Sequence, residues 1–168
     1  MAEVVVRMGE TAVAGTSGDV LACIGLGSCI GLVLMDRDRK IAALAHVMLP
    51  ESGNGEITMP GKYADTAIPV LIDQAVAQGA IARRLEAALV GGAAMFAFGA
   101  GQDIGARNEA AVREHLQVKG IPVLGAVTGG SKGRTVRVTL NGHIEITVRE
   151  AGGSDEPLEL DGALRVAA

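Results

Sequence analysis

The sequence predicts a mixed α/β domain in which two long helices pack on sheet. Three observations predict it. Short aliphatic and β-branched runs recur along the chain, at Glu3–Met8, Asp19–Ile24, Ile30–Met35, Ile41–Leu49, Arg84–Val90 and Pro122–Thr128. Two longer stretches, Lys62–Gln78 and Ile104–Lys119, carry apolar residues at helical spacing. Asn141-Gly142 joins the runs Thr135–Leu140 and His143–Arg149, which is the signal of a hairpin with a type I′ turn. Strands dominate, so helices layered on sheet follow.

Each element has a local cause. Val4-Val5-Val6 makes the first run β-branched. Asp19–Ile24 enters a turn at Gly25 and Gly27. Ile30–Met35 is uniformly apolar and ends at Asp36-Arg37-Asp38-Arg39, a turn, and Ile41–Leu49 follows as a buried strand closed by Pro50. Ser52, Gly53, Asn54 and Gly55 make Glu51–Pro60 a loop. In the first helix Tyr63, Ala67, Val70 and Leu71 share a face, and Pro69 is awkward because an interior proline removes a hydrogen bond and crowds the preceding turn. Gly91-Gly92 and the loop-like Ala93–Asp103 precede the second helix, whose expected apolar positions are Ala106, Ala110, Val112 and Leu116, with Gly120 as its stop. Gly152–Asp155 is a break. Residues 1–150 read as the domain and 151–168 as an extension, in which Glu156–Ala168 is expected to dock loosely.

Composition bounds the function. At 168 residues the chain suits one domain with a sizeable core. Hydrophobic residues make up 49% but aromatics only 2%, so Val, Ile, Leu, Ala and Met must fill that core. The net charge is -4, and the basic groups Arg37/Arg39/Lys40 and Lys132/Arg134/Arg137 are too short for a nucleic-acid face, reading instead as solvated turns and strand edges. The uncharged stretches Val20–Met35 and Ala87–Gly101 fall short of the ~20 residues of a membrane helix. Met1-Ala2-Glu3-Val4 lacks a basic region leading into an apolar run, so no signal peptide is expected. Two cysteines build no disulfide framework, and no Cys/His set has metal-ligand spacing. A reducing cytoplasm is the expected location, where thiols stay free.

Two glycine patterns fail as nucleotide sites. Gly99, Gly101 and Gly105 lie between a strand and a helix, but the third glycine is one residue late and the acidic residue after the next strand is missing. Gly129-Gly130-Ser131-Lys132-Gly133 lacks the Gly-Lys-Ser/Thr order of a phosphate loop.

The chemistry concentrates at Cys29 and His46. Cys29 ends the small-residue turn Gly25-Leu26-Gly27-Ser28-Cys29, and His46 stands 17 residues on, inside an apolar strand where its ring needs a partner. The segment between them reads as strand, turn, strand. Such a hairpin can set a thiol beside an imidazole, the minimum for a cysteine nucleophile with a general base. The plain alternative is a small buried cysteine and a hydrogen-bonded core histidine. His115, among Arg113, Glu114 and Gln117, and His143, beside the hairpin turn, read as surface residues.

Leu26-Gly27-Ser28-Cys29 followed by Ala45-His46-Val47-Met48-Leu49-Pro50 resembles the CheD family, the chemoreceptor glutamine deamidases of bacterial chemotaxis. Pro60-Gly61-Lys62-Tyr63-Ala64-Asp65, Gly91-Gly92-Ala93, Met95-Phe96, Ile104-Gly105-Ala106-Arg107-Asn108 and Thr128-Gly129-Gly130 extend the resemblance in family order. The resemblance implies a layered sandwich of mixed β-sheets with helices outside, as in the catalytic domain of cytotoxic necrotizing factors. It implies hydrolysis of receptor glutamines to glutamate, with Cys29 as nucleophile and His46 as its histidine, and without a cofactor. Gly27 and Ser28 become candidates for the oxyanion site. Cleavage of glutamate methyl esters, and partnership with the chemoreceptors and with a CheC-type phosphatase, are implied too. One position departs: where the family has a catalytic threonine, six residues before the cysteine, this chain has Cys23. A thiol donates and accepts only weakly. Either Cys23 takes the threonine's place, or it is a small buried strand residue and another hydroxyl or a backbone carbonyl holds His46. With the site disabled, the chain would act as a binding module for receptors and a CheC-type phosphatase.

Overall fold

The computed structural model describes residues 3–95 and 103–160. In chain order the strands and long helices are β1 (Glu3–Val5), β2 (Thr11–Ala14), β3 (Val20–Leu26), β4 (Ile30–Asp36), β5 (Ile41–Val47), α1 (Ala64–Ala77), β6 (Glu86–Gly91), α2 (Ile104–Val118), β7 (Val123–Thr128), β8 (Arg134–Leu140), β9 (Ile144–Glu150) and β10 (Glu156–Pro157). One sheet runs β1-β3-β8-β9-β10 and the other β2-β5-β4-β6-β7. Both are mixed: β1 with β3 and β6 with β7 are parallel, and the remaining pairs are antiparallel. The fold is therefore a three-layer α/β sandwich, with both helices on the far face of the second sheet.

The sequence pattern of each strand follows from its layer. Every residue of β4 and β5 is buried, because their sheet is covered on both sides. Ile30, Leu32 and Leu34 meet the helices, while Val33 and Met35 meet the other sheet. β8 alternates buried Arg134, Val136, Val138 and Leu140 with half-buried neighbours, as suits a sheet covered on one face. Two apolar cores result, one between the sheets and one between the second sheet and the helices.

Several expectations are corrected. β2 falls where no element was expected; Thr11–Ala14 is short and alanine-rich, and it becomes a strand by pairing with the edge of β5. In α2, Val112 and Leu116 are buried as expected, but Ala106 and Ala110 are exposed. The buried stripe instead begins with Gly105 and Asn108, a glycine and an amide that an apolar count passes over. In α1, Ala67 and Leu71 are buried, while Tyr63 and Val70 are only half-buried and Ala64, Ile68 and Ala75 complete the face. The β8–β9 hairpin forms, but its last register pair is Leu140 with Ile144, which puts His143 in the loop, and only Gly142 has positive φ, so the turn is not type I′. Arg134 is not solvated: it is buried, pairs with Glu150 and donates to the Gly91 and Gly129 carbonyls. Arg37 likewise pairs with Glu86. Within the C-terminal segment, β10 pairs with β9, and Leu158 and Leu160 pack against the inter-sheet core. Phe96, Gly99 and Gly101 lie outside the described residues. No described helix is long and apolar enough to cross a membrane.

Helix α1 continues through Pro69. An interior proline costs ~3 kcal/mol in lost hydrogen bonding and crowding, offset by up to about 1 kcal/mol because it restricts the unfolded chain. Pro69→Ala is therefore expected to stabilise the protein by about 2 kcal/mol in a urea titration. An unchanged or lower midpoint would contradict this account of α1.

Candidate active site

The Cys29 loop leaves β3 at an irregularity. The register of β3 against β8 shifts between Cys23 and Leu26, and in that bulge Ile24 and Gly25 are exposed, with the Gly25 N–H donating to Thr135 Oγ1 at 3.2 Å. Beyond it, three successive carbonyls are held. Gly27 accepts from the Ala93 N–H, Ser28 from Asn108 Nδ2 and Cys29 from the Gly92 N–H, each at 2.9 Å. Gly91 has φ 116°, and a Cβ there would overlap the Cys29 carbonyl oxygen, so the approach needs glycine. The Ser28 and Cys29 N–H groups donate to no acceptor among the described residues. Neutral donors of this kind suit a developing oxyanion.

His46 stands near the end of β5, opposite Gly31 of β4. It is 5% exposed. Its Nδ1 lies 3.0 Å from the Val6 carbonyl oxygen, and a carbonyl can only accept, so Nδ1 carries the proton. The neutral ring then bears its lone pair on Nε2, as a base requires. Val6 follows β1 and is itself tied down, donating its N–H to the Ala22 carbonyl at 2.7 Å. The backbone on both sides of the histidine's strand edge is engaged as well, the His46 N–H donating to Glu10 and its carbonyl accepting from Gly9.

Strand alternation puts the two residues on one face. Ile30 and Val47 face the helices, so Cys29, Gly31 and His46 face the other sheet. Cys29 directly precedes β4, next to the Ile30–Val47 pair, and His46 stands opposite Gly31 on β5, so both lie at one end of the β4–β5 hairpin. Cys23 enters the same layer from the opposite sheet. It is fully buried, and its sulfur lies 3.7 Å from the point a Cβ on Gly31 would occupy, beside Leu26 and Val136. Gly27 and Ser28 complete the turn beside Cys29. His115 and His143 lie elsewhere, next to Glu51 and Glu145.

Burial sets the electrostatics. It pushes the half-buried Cys29 thiol above its ordinary value. It pushes Cys23 up further, with the nearby Cys29 adding to the rise. It lowers His46, against the opposing pull of the Val6 hydrogen bond and the Glu10 charge. Both groups thus rest neutral near pH 7.

The family model for CheD chemotactic sensory transduction matches residues 48–150. The chain is 43% identical over 152 residues to a Thermotoga maritima protein named chemoreceptor glutamine deamidase CheD, covering 90% of this chain and 94% of that one. This chain belongs to the CheD family. A Bacillus velezensis CheD of the same name is 48% identical over 124 residues, 70% of this chain and 74% of its own. A Clostridium novyi protein, named a probable chemoreceptor glutamine deamidase CheD, is 46% identical over 131 residues, 75% and 81% of the two chains. A crystal structure of a Neisseria meningitidis protein assigned to DUF152 aligns over 95% of this chain and 76% of its own, at a TM-score of 0.45 and 13% identity, a remote likeness.

The sequence reading allowed for a backbone carbonyl behind His46 and quoted Gly91-Gly92 and Asn108 among the family blocks, but it gave none of these three contributors its part in the candidate site. The Val6 carbonyl leaves no mark in a sequence. Gly91-Gly92 was visible as a turn but not as the cradle of Cys29. Asn108 could have been found as a polar residue three positions after Gly105, on the stripe that Val112 and Leu116 mark as buried.

The buried thiols make stability fall in alkali. An unfolded cysteine ionises near pH 9.0, but Cys23 in the folded chain stays protonated well beyond it. The unfolded state therefore releases a proton that the native state keeps, and native stability drops as pH rises past 9.0. One such group costs on the order of 1 kcal/mol by pH 10. Cys23→Ala should lose about 1 kcal/mol less than the parent between pH 8 and pH 10, read from denaturant midpoints. Equal losses in the two proteins would refute the assignment.

Proposed function

We propose that this chain hydrolyses the side-chain amide of glutamine residues on chemoreceptors, giving glutamate and ammonia, with Cys29 as nucleophile and His46 as general base. The observation that carries the proposal is the imidazole tied through Nδ1 to Val6, on the strand face it shares with Cys29. The names of its CheD relatives supply the substrate class.

The reaction runs in two halves. His46 Nε2 takes the Cys29 proton as sulfur attacks the carboxamide carbon. The oxyanion is received by the N–H groups of Ser28 and Cys29. The tetrahedral intermediate collapses, the C–N bond breaks, and the imidazolium gives its proton to the departing amine as ammonia. Water, deprotonated by His46, then cleaves the thioester to glutamate and restores the thiol. A glutamate methyl ester would enter the same acyl-enzyme, losing methanol instead.

On this reading Cys23 packs rather than catalyses, since a backbone carbonyl already orients His46. Residues 1–150 form the deamidase domain and 151–168 its extension. The partners are the receptor and a CheC-type phosphatase, and the cytoplasm is where they meet. A second reading draws on the thiol at the threonine position: a weakly active module that binds receptors and the phosphatase.

Incubation with a receptor cytoplasmic fragment, followed by mass spectrometry, separates the two. The parent should convert glutamine to glutamate, a gain of ~1 Da per site, and Cys29→Ala and His46→Ala should lose at least a hundredfold in rate. Binding without conversion by the parent would favour the module. The pH profile adds a signed expectation. Because His46 is lowered from 6.5, its base form persists to lower pH than a free histidine's, so the acid limb of kcat/KM should fall below pH 6.5. A limb above pH 7 would point to a preformed ion pair and contradict the mechanism.

A further inference from the structure

Beyond the last register pair of β4 and β5, Ile30 with Val47, the two chains are bridged by a side chain. Asn108, on the inward face of α2, is completely buried. Its Nδ2 is 2.9 Å from the Ser28 carbonyl and 2.9 Å from the Met48 carbonyl. Both partners only accept, so the amide orientation is fixed and both Nδ2 hydrogens are engaged. Ser28 immediately precedes Cys29, and Met48 lies two residues past His46.

The other end of the amide is informative. Asn108 Oδ1 is buried and has no partner among the described residues. An orphaned acceptor is destabilising, so an aliphatic side chain would serve packing better. What asparagine adds at this position is the pair of donors. The helix can bring them there because Gly105, one turn earlier, lets α2 approach the Gly92-Ala93 backbone; a Cβ at Gly105 would overlap the Ala93 carbonyl oxygen.

We propose that Asn108 is a positioning residue that sets the separation of Cys29 and His46 by bracketing the carbonyls of Ser28 and Met48. The inference rests on the reading of Cys29 and His46 as nucleophile and base. Asn108 is buried and touches neither substrate nor the reacting atoms. Its loss should therefore lower kcat and leave KM nearly unchanged. It should also lower the reactivity of the Cys29 thiol toward a small electrophile, which needs no receptor.

The test uses Asn108→Asp, which keeps the size and removes both donors, and Asn108→Ala, which removes them without adding a buried charge. The pH dependence of Cys29 alkylation by iodoacetamide is measured, with the adduct located by mass spectrometry. Displacement of a catalytic pair by about 1 Å can cost on the order of a hundredfold, so a loss of roughly tenfold or more at pH 7 is expected in either folded variant. The profile should move toward that of His46→Ala, and kcat against receptor should fall alongside it while KM stays within about twofold of the parent's. A folded Asn108→Ala variant with the parent's alkylation profile and kcat would overturn the proposal, making Asn108 a packing residue. The His46→Ala control keeps the two ideas apart. If it leaves alkylation unchanged, the nucleophile–base reading fails. If it lowers alkylation while the Asn108 variants do not, only the positioning role fails.

Discussion

A neutral imidazole in the middle of this protein needs an acceptor for its N–H, and the Val6 carbonyl provides one at 3.0 Å. That bond permits His46 to be 5% exposed without an unmet donor. It also fixes which nitrogen keeps the lone pair. The arrangement depends on both sheets at once, because Val6 is held through Ala22 of the first sheet while His46 belongs to the second. The distance between the sheets, set by Leu21, Leu26, Val33, Leu44 and Val136, is therefore part of the site. Loss of inter-sheet packing would disturb the histidine before it disturbed the hairpin that carries it.

The same burial bears on how the proposed pair would act without a third side chain. Desolvation disfavours both the thiolate and the imidazolium, so each rests neutral near pH 7. In such a setting the useful property of the histidine is its tautomer and its direction, not a high affinity for protons. A backbone carbonyl supplies direction as well as a hydroxyl does. This is why a thiol at position 23, in a wholly apolar setting, is compatible with an intact pair. On the other side, the loop that carries Cys29 is held through its carbonyls by Gly92, Ala93 and Asn108.

How much of this was legible in the sequence depended on what kind of group does the work. The β4–β5 hairpin was readable because two apolar runs flank Asp36-Arg37-Asp38-Arg39, and with it the placing of Cys29 and His46 on one face of that hairpin. The β8–β9 hairpin was readable from Asn141-Gly142, although its three-residue loop was not, because loop length is set by the register of the whole ladder. β2 was invisible: Thr11–Ala14 has little strand character of its own and gains it from the edge of β5. The buried face of α2 was misjudged through Ala106 and Ala110, because an apolar count cannot find a stripe built from Gly105 and Asn108. Arg134 was misjudged for the same reason, as a cation neutralised by Glu150 and two carbonyls looks like any surface arginine in a sequence. Side chains that pair with backbone are what sequence pattern conceals.

The measurement closest to the central claim is the protonation of His46 itself, followed by long-range ¹H–¹⁵N NMR as pH is lowered. The account predicts a neutral ring protonated at Nδ1 at pH 7, and still more than half neutral at pH 6.5, the ordinary histidine value. A ring protonated at Nε2, or an imidazolium at pH 7, would contradict it.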